Sequence, residues 1–387
     1  MENIHKKIGI IGGGQLGQMM ILEAKKMGFY ITVLDPTLNC PAHTIVDEHI
    51  VADFDDEKAI RLLAEKSDVI TYEFEHINAQ VLKELEKEGK EVYPTATSLE
   101  IIQNKFLQKT LLAENDVPVP DFVEVKDIED IRSAGKTFGF PMLLKACTGG
   151  YDGKGNYVVK NADDATNGYK TLGSGILPLM AERFYPFTME ISVLACRAIN
   201  GDIKVYPVAQ NIHFDNILDE TRVPASIDQT TTNKAMALAK RVMEVFNGVG
   251  MFCMEMFVDK DGNVAINEVA PRPHNSGHYT IEACVTSQFE QHIRAVSGLP
   301  LGDASLVRPA VMRNILGEDG FKGKTKVLGA DQCLDVPGVM LHVYGKEESK
   351  PKRKMGHLTV TAKTLAKAAE NAEKAKNAVK ITGEIKM

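Results

Sequence analysis

With 387 residues, 44% of them hydrophobic, the chain has enough apolar content for two or three domains, each with its own core. A net charge of −7 gives no support to nucleic-acid binding, and no run approaches the roughly 18 apolar residues of a membrane helix. "MENIHKK" leads straight into a strand, so no secretory signal is expected, and six scattered cysteines without a C-x-x-C pair point to buried thiols in a reducing cytoplasm.

The first hundred residues alternate strand and helix: "KIGIIG", "QLGQMMILEAKKMG", "YITVLD", "HIVAD", "DEKAIRLLAEK", "DVITYEF" and "NAQVLKELEKEG". This rhythm predicts a doubly wound parallel sheet, whose ligands bind at the carboxyl ends of the strands. Gly12, Gly14 and Gly17 fit G-x-G-x-x-G, and Asp35 ends the next strand, so the opening reads at first as a dinucleotide turn. After "EVYPTATSLE" the texture changes. "SLEIIQNKFLQKTLLAEN" reads as one long helix, followed by "DFVEV", a helix "DIEDIRSAGKTFG" and the strand "PMLLKA". "CTGGYDGKGNYVV" lacks the Walker A pattern and reads as a hairpin whose glycines leave backbone N–H groups open to a phosphate.

"LMAERFY", "TMEISVLACRA" and "DIKVYPVAQNIHFDNILDETRVPA" alternate like antiparallel strands, and "NKAMALAKRVMEVFN" is helical. The segment "VGMFCMEMFVDKDGNVAINEVAPRPHNSGHYT" reads as a hairpin turned at "DKDGN", then an irregular loop. The end holds strands "GVMLHVYGK" and "MGHLTVTA" and a final Ala/Lys helix around "TLAKAAENAEKAKNAV". Boundaries are placed near residues 100 and 300, giving domains 1–100, 101–300 and 301–387.

Several residues could carry chemistry. The "DKDGN" turn sets Glu255 and Glu268, with Asn267, on adjacent strands, a hard oxygen set suited to Mg²⁺ when nucleotide phosphates complete its shell, or else two solvent-facing acids on an edge. Lys145 ends an apolar strand, either within reach of a phosphate or as an ordinary exposed strand end. "AERFY" offers backbone donors and acceptors at a strand end, as adenine hinges do, or is simply a core strand. "PRPHNSGHYT" gathers Arg272, His274 and Asn275, a donor density that suggests an oxyanion site. The basic "KEESKPKRK" stretch suits either a grip for one anionic group or a solvated loop.

The order is a lysine on a strand, a Gly-rich hairpin, an acidic strand end, then Glu and Asn-Glu on paired strands. It resembles the ATP-grasp superfamily of carboxylate–amine ligases. Within it, "GGGQLGQM", "TGGYDGKG", "INEVAPRPHNSGHYT" and "KMGHLTV" resemble motifs of the N5-carboxyaminoimidazole ribonucleotide synthase family, nearly end to end. The resemblance implies a mixed α/β architecture: a Rossmann-like N-terminal domain, an ATP-grasp domain with lid, and a small β-rich C-terminal domain. It implies ATP on Lys105, Lys145, Gly150, Tyr151, Asp152, Gly153, Lys154, Gly155, Asn156, Glu182, Arg183, Phe184, Tyr185, Glu190, His213, Asn267 and Glu268. Magnesium, or manganese, would sit on Glu255 and Glu268. Arg272, His274 and Asn275 would face bicarbonate and the phosphoryl group, with Lys145 and Asp152 also catalytic and Asp152 or His274 taking the proton. The 5-aminoimidazole ribonucleotide would touch Gly14, Gln15, Leu16, Glu73, Tyr151, Asp152, Lys346, Arg353 and Lys354, the last three gripping its phosphate.

Lys105 and Lys154 stand where relatives often carry arginine, keeping the charge but losing bidentate geometry. The implied enzyme is a cytoplasmic homodimer with small-molecule partners, binding neither nucleic acid nor membrane. Three rivals predict different outcomes. A formate-dependent glycinamide ribonucleotide transformylase would share fold and ATP site. A nicotinamide oxidoreductase would leave Glu255 and Glu268 idle. A nucleotide sensor could lose those carboxylates.

Overall fold

A computed structural model describes residues 6–149 and 155–386. The N-terminal unit runs β1 (Lys7–Ile11), α1 (Gln15–Lys26), β2 (Tyr30–Leu34), β3 (Glu48–Ile50), α2 (Glu57–Lys66), β4 (Val69–Tyr72), α3 (Ala79–Lys87) and β5 (Glu91–Val92). Its five strands are all parallel, in the order β3-β2-β1-β4-β5. The strands are apolar on both faces because helices cover both: Ile8, Ile10, Ile11, Ile31, Val33 and Val69 are wholly buried. Asp56 and Asn78 start α2 and α3 by accepting from Ala59 N and Val81 N.

The single helix expected across residues 98–115 is two, α4 (Ala96–Gln103) and α5 (Lys105–Glu114). Asn104 takes an extended conformation (φ −117°, ψ 108°), and its side chain accepts from Phe106 N and Leu107 N. The apolar spacing continues through both halves and hides the cap. The break matters, because it turns Lys105 out at a fresh helix start, with its N–H donating to Cys147 O at 2.8 Å.

Next come β6 (Phe122–Val125), α6 (Ile128–Phe138), β7 (Met142–Ala146), β8 (Asn156–Val159), α7 (Ala165–Thr171) and β9 (Leu179–Arg183). They form a four-stranded antiparallel sheet, β6-β9-β7-β8. Met142 and Leu144 point into the core under α6 and α7, so the pleat sends Leu143 and Lys145 to the opposite face. The tip of the β7–β8 hairpin, Gly150–Lys154, lies outside the described residues.

A larger antiparallel sheet follows. Its first part is β10 (Phe187–Arg197), β11 (Ile203–Val205), β12 (Ala209–Phe214), β13 (Ile217–Val223), β14 (Gly250–Asp259) and β15 (Val264–Ala270), with α8 (Gln229–Phe246) packed behind. After α9 (Thr280–Ala283) and α10 (Gln288–Ser297), the chain continues through β16 (Ala310–Leu316), β17 (Phe321–Leu328), α11 (Ala330–Leu334), β18 (Val339–Val343), β19 (Glu348–Ser349), β20 (Lys354–Thr361), α12 (Leu365–Ala378) and β21 (Lys380–Lys386). The sheet runs β15-β14-β10-β12-β13-β16-β20-β18, with β11 on β10, so β13–β16 pairing carries it across residue 300. The Ala/Lys helix is not the last element: β21 follows it and pairs with β17, its weak alternation in "KITGEIK" having hidden it. All six cysteines are buried free thiols, and no described helix is long and apolar enough to cross a membrane.

Candidate active site

A cleft of about 720 Å³ opens where the N-terminal sheet, the four-stranded sheet and the β14–β15 hairpin meet. Its floor is that hairpin. Glu255 and Glu268 face each other in register, with a bulge between Glu255 and Met256. Met254 and Met256 are buried in the core, so alternation brings Glu255 to the cleft side. Asn267 lines the cleft beside them. Lys105 Nζ is 2.5 Å from Glu268 Oε1, so the side chain expected on the nucleotide rests on this carboxylate. Burial pushes Glu268 up, but Lys105, Lys145 and Lys109 outweigh it and hold the carboxyl below its ordinary range. Burial and the facing Glu268 push Glu255 up to about 7. Two opposed carboxylates, one of them so frustrated, fit a hard divalent cation such as magnesium.

Lys145 is not the exposed strand end it resembles. It is buried, with Nζ 2.7 Å from Glu182 Oε1, while Lys109 Nζ sits 2.7 Å from Glu182 Oε2. Glu182 is 1% exposed, its carboxylate wholly taken up by the two lysines. Burial pushes it up, and the lysines still hold it below its ordinary range. Lys109 is one residue that sequence reasoning missed; its one signal is spacing, four residues after Lys105 on α5. Arg183 also departs from the expected nucleotide role. Its side chain turns to Asp121 Oδ2 (2.7 Å) and Phe138 O (3.1 Å), and its backbone N–H donates to Asp121 O (2.8 Å).

Phe184 is exposed and outside the cleft lining. Tyr185 stacks on Phe257 at 5.6 Å, and Phe187 stacks on the same ring at 4.6 Å. Phe187 and Phe257 line the cleft, an aromatic wall absent from the sequence reading. Glu190 Oε2 and His213 Nδ1 are 3.1 Å apart on β10 and β12, and both face in. Asn156 lines the lid side, and Gly155 O accepts from Ala146 N at the hairpin neck. Gly150, Tyr151, Asp152, Gly153 and Lys154 lie outside the described residues.

Arg272, His274 and Asn275 line the cleft just past β15. His274 Nδ1 lies 2.9 Å from Ser276 Oγ and accepts from Ser276 N at 3.3 Å, while Nε2 stands 3.5 Å from Glu255 Oε1. Burial, reinforced by Arg272, holds this imidazole neutral, far below its ordinary range. Both side-chain polar atoms of Asn275 are buried and without a partner among the described residues.

At the opposite end, the glycine turn is closed by acids. Glu73 Oε1 accepts from Gly14 N and Oε2 from Gly17 N, both at 2.6 Å; Asp35 Oδ2 accepts from Gly13 N at 2.8 Å. A Cβ at Gly14 would meet Glu73 Oε1 at 2.5 Å, so the glycine makes room for a carboxylate. The N–H groups a pyrophosphate would need are occupied, which removes the dinucleotide reading. Gly14, Gln15, Leu16 and Glu73 line the cleft, as does Lys354. Lys346 and Arg353 do not reach the lining: Lys346 Nζ donates to Lys354 O (2.7 Å) and Arg353 Nη1 to Glu348 O (2.7 Å). Burial, with Arg353 and Lys354 nearby, brings Lys346 down to about 8.

Known proteins share this arrangement. A ribonucleotide synthetase preATP-grasp domain matches residues 5–103, an ATP-grasp domain residues 110–289, and a phosphoribosylaminoimidazole carboxylase C-terminal domain residues 310–371. The N5-carboxyaminoimidazole ribonucleotide synthase of Bacillus subtilis (strain 168) is 43% identical over 91% of this chain and 90% of its own. The crystal structure of the corresponding synthetase from Thermotoga maritima is 48% identical, covers 98% of this chain and 100% of that one, and superposes with a TM-score of 0.90. A structure from Aspergillus clavatus in complex with ADP and 5-aminoimidazole ribonucleotide is 33% identical over 97% of this chain and 99% of that one, with a TM-score of 0.89. At this identity and coverage, the chain belongs to the N5-carboxyaminoimidazole ribonucleotide synthase family.

Proposed function

We propose that this chain carboxylates the exocyclic amine of 5-aminoimidazole ribonucleotide with bicarbonate, at the expense of ATP, in purine biosynthesis. The products are N5-carboxyaminoimidazole ribonucleotide, ADP and phosphate. The observation that carries this reading is the convergence, in one cleft, of the Glu255–Glu268 pair, Lys105 and Lys145, the aromatic wall and the Arg272–His274–Asn275 loop. The relatives' names supply the substrates.

In this reading the adenine lies against Phe257 and the backbone of 182–185, with Glu190 on the ribose hydroxyls. Lys145 and Lys105 meet the phosphates. Glu255 and Glu268, beside Asn267, would hold magnesium, which would supply charge neutralisation at the phosphoryl oxygens. Arg272 and Asn275 hold bicarbonate for attack on the γ-phosphoryl group, which yields carboxyphosphate and ADP. Asp152 or His274 takes the proton. Carboxyphosphate, or CO2 released from it, then reacts with the amine of a substrate whose phosphate meets Lys354, while Lys346 and Arg353, tied to Lys354 O and Glu348 O, stand behind the cleft lining. Such an intermediate needs a dry site.

The same reading carries the division 1–100, 101–300 and 301–387, supported by the three matched ranges, and a cytoplasmic homodimer, checked by light scattering. The test is ADP release with ATP and Mg²⁺ in an omission series. Release that needs both aminoimidazole ribonucleotide and bicarbonate supports the reading. Release only with glycinamide ribonucleotide and formate overturns the substrates, and release with neither overturns the activity.

A further inference from the structure

Glu75 lies on the loop after β4, two residues beyond Glu73, and lines the same cleft. The loop's shape does not depend on the Glu75 carboxylate. Gln103, the last residue of α4, donates from Nε2 to Glu75 O (2.7 Å) and Ile77 O (2.8 Å), and Ile77 N donates to Glu75 O (3.0 Å). The backbone is therefore pinned by another side chain, and the carboxylate is free for a different task. Its Oε1 stands 2.9 Å from Arg272 Nε, with the two side chains 18% and 17% exposed. Arg272 Nη1 donates to Pro273 O at 3.1 Å. The first contact is an ion pair without hydrogen-bond geometry at Nε, the second a hydrogen bond from Nη1; among the described residues Nη2 has no partner and is left for a ligand in the cleft.

We propose that Glu75 is the positioning residue for Arg272: it fixes the guanidinium from the N-terminal sheet, so that the remaining N–H edge meets the small oxyanion consumed in the reaction. The inference rests on the carboxylation reading. It also explains a connection that the fold makes. Glu73 closes the glycine turn, and Glu75, on the same loop, holds the arginine that stands four residues after Glu268. One short loop thereby registers the ribonucleotide end of the cleft against the phosphoryl end. An arginine held at only one point keeps rotamer freedom that a two-point hold removes, and small misplacements of an anion clamp are costly.

The experiment measures ADP release in CO2-depleted buffer for the wild type, Glu75→Gln, Glu75→Ala, Arg272→Ala and the Glu75→Ala/Arg272→Ala double variant. Glu75→Ala is expected to lower kcat/KM for bicarbonate about 10- to 100-fold, with Glu75→Gln intermediate because it keeps an acceptor. KM for ATP and the thermal midpoint stay near wild type, because Gln103 still holds the loop. In the Arg272→Ala background, Glu75→Ala adds nothing further. Unchanged bicarbonate kinetics, an equal loss for all three substrates, or losses that multiply in the double variant would each overturn the proposal. If the wild type itself releases ADP without needing bicarbonate, the carboxylation reading fails and the proposal with it, an outcome recognised before any variant is made.

Discussion

The glycine turn offers a sharp quantitative expectation. Glu73→Gln keeps the shape of the side chain and removes its charge. In the native turn, two N–H groups at 2.6 Å donate to one carboxylate. Bonds to a charged acceptor contribute about 1.5–3 kcal/mol each. Glutamine retains one acceptor at the neutral value of about 1 kcal/mol and aims an NH2 group at the other N–H, leaving it unsatisfied. The expected cost is about 3 kcal/mol, or about 100-fold in local opening. Amide hydrogen exchange followed by mass spectrometry on peptides spanning 12–18 reads this directly. Protection there should fall about 100-fold while the β14–β15 hairpin is unaffected. Gly14→Ala, whose Cβ would meet Glu73 Oε1 at 2.5 Å, should loosen the same peptide. Protection within about threefold of wild type would mean that the carboxylate does not hold the turn, and the argument against a pyrophosphate site there would fall with it.

Other outcomes follow from the cleft and the core. Glu268→Ala should cut ADP release by about 100-fold or more, and near-normal turnover would refute the metal assignment. Asn104→Ala removes the cap that starts α5, costing about 1 kcal/mol of stability by urea titration and raising KM for ATP, because Lys105 is placed by that start. Burial pushes His292 down to about 3, while the same group titrates near 6.5 in an unfolded chain. Between those values the unfolded state holds the extra proton, so this residue's contribution falls as pH drops below 6.5, by up to about 1.4 kcal/mol per pH unit. Unfolding midpoints measured from pH 7 to 5 should decline less steeply in His292→Gln than in the wild type.

The parallel sheet, the paired strands of Glu255 and Glu268 and the polar loop after them were legible because each rests on local pattern: period two, period 3.6 and a "DKDGN" turn. Asn104 stayed hidden because an apolar stripe running through two helices reads the same as one. Side-chain partners were a matter for tertiary structure alone. Sequence places Glu182 beside Arg183 at a strand end, yet only the pairing of β7 with β9 and the reach of Lys109 from α5 join Glu182 to Lys145 and Lys109, while Arg183 turns to Asp121. The glycine fingerprint makes the same point. Its residues fix a tight turn and nothing more; the return of Glu73 from β4, 59 positions later than Gly14, decides that the turn's N–H groups close on a carboxylate. Local sequence sets backbone geometry through propensity and periodicity, whereas the charge that meets that geometry comes from segments distant in the chain, and only the folded topology brings the two together.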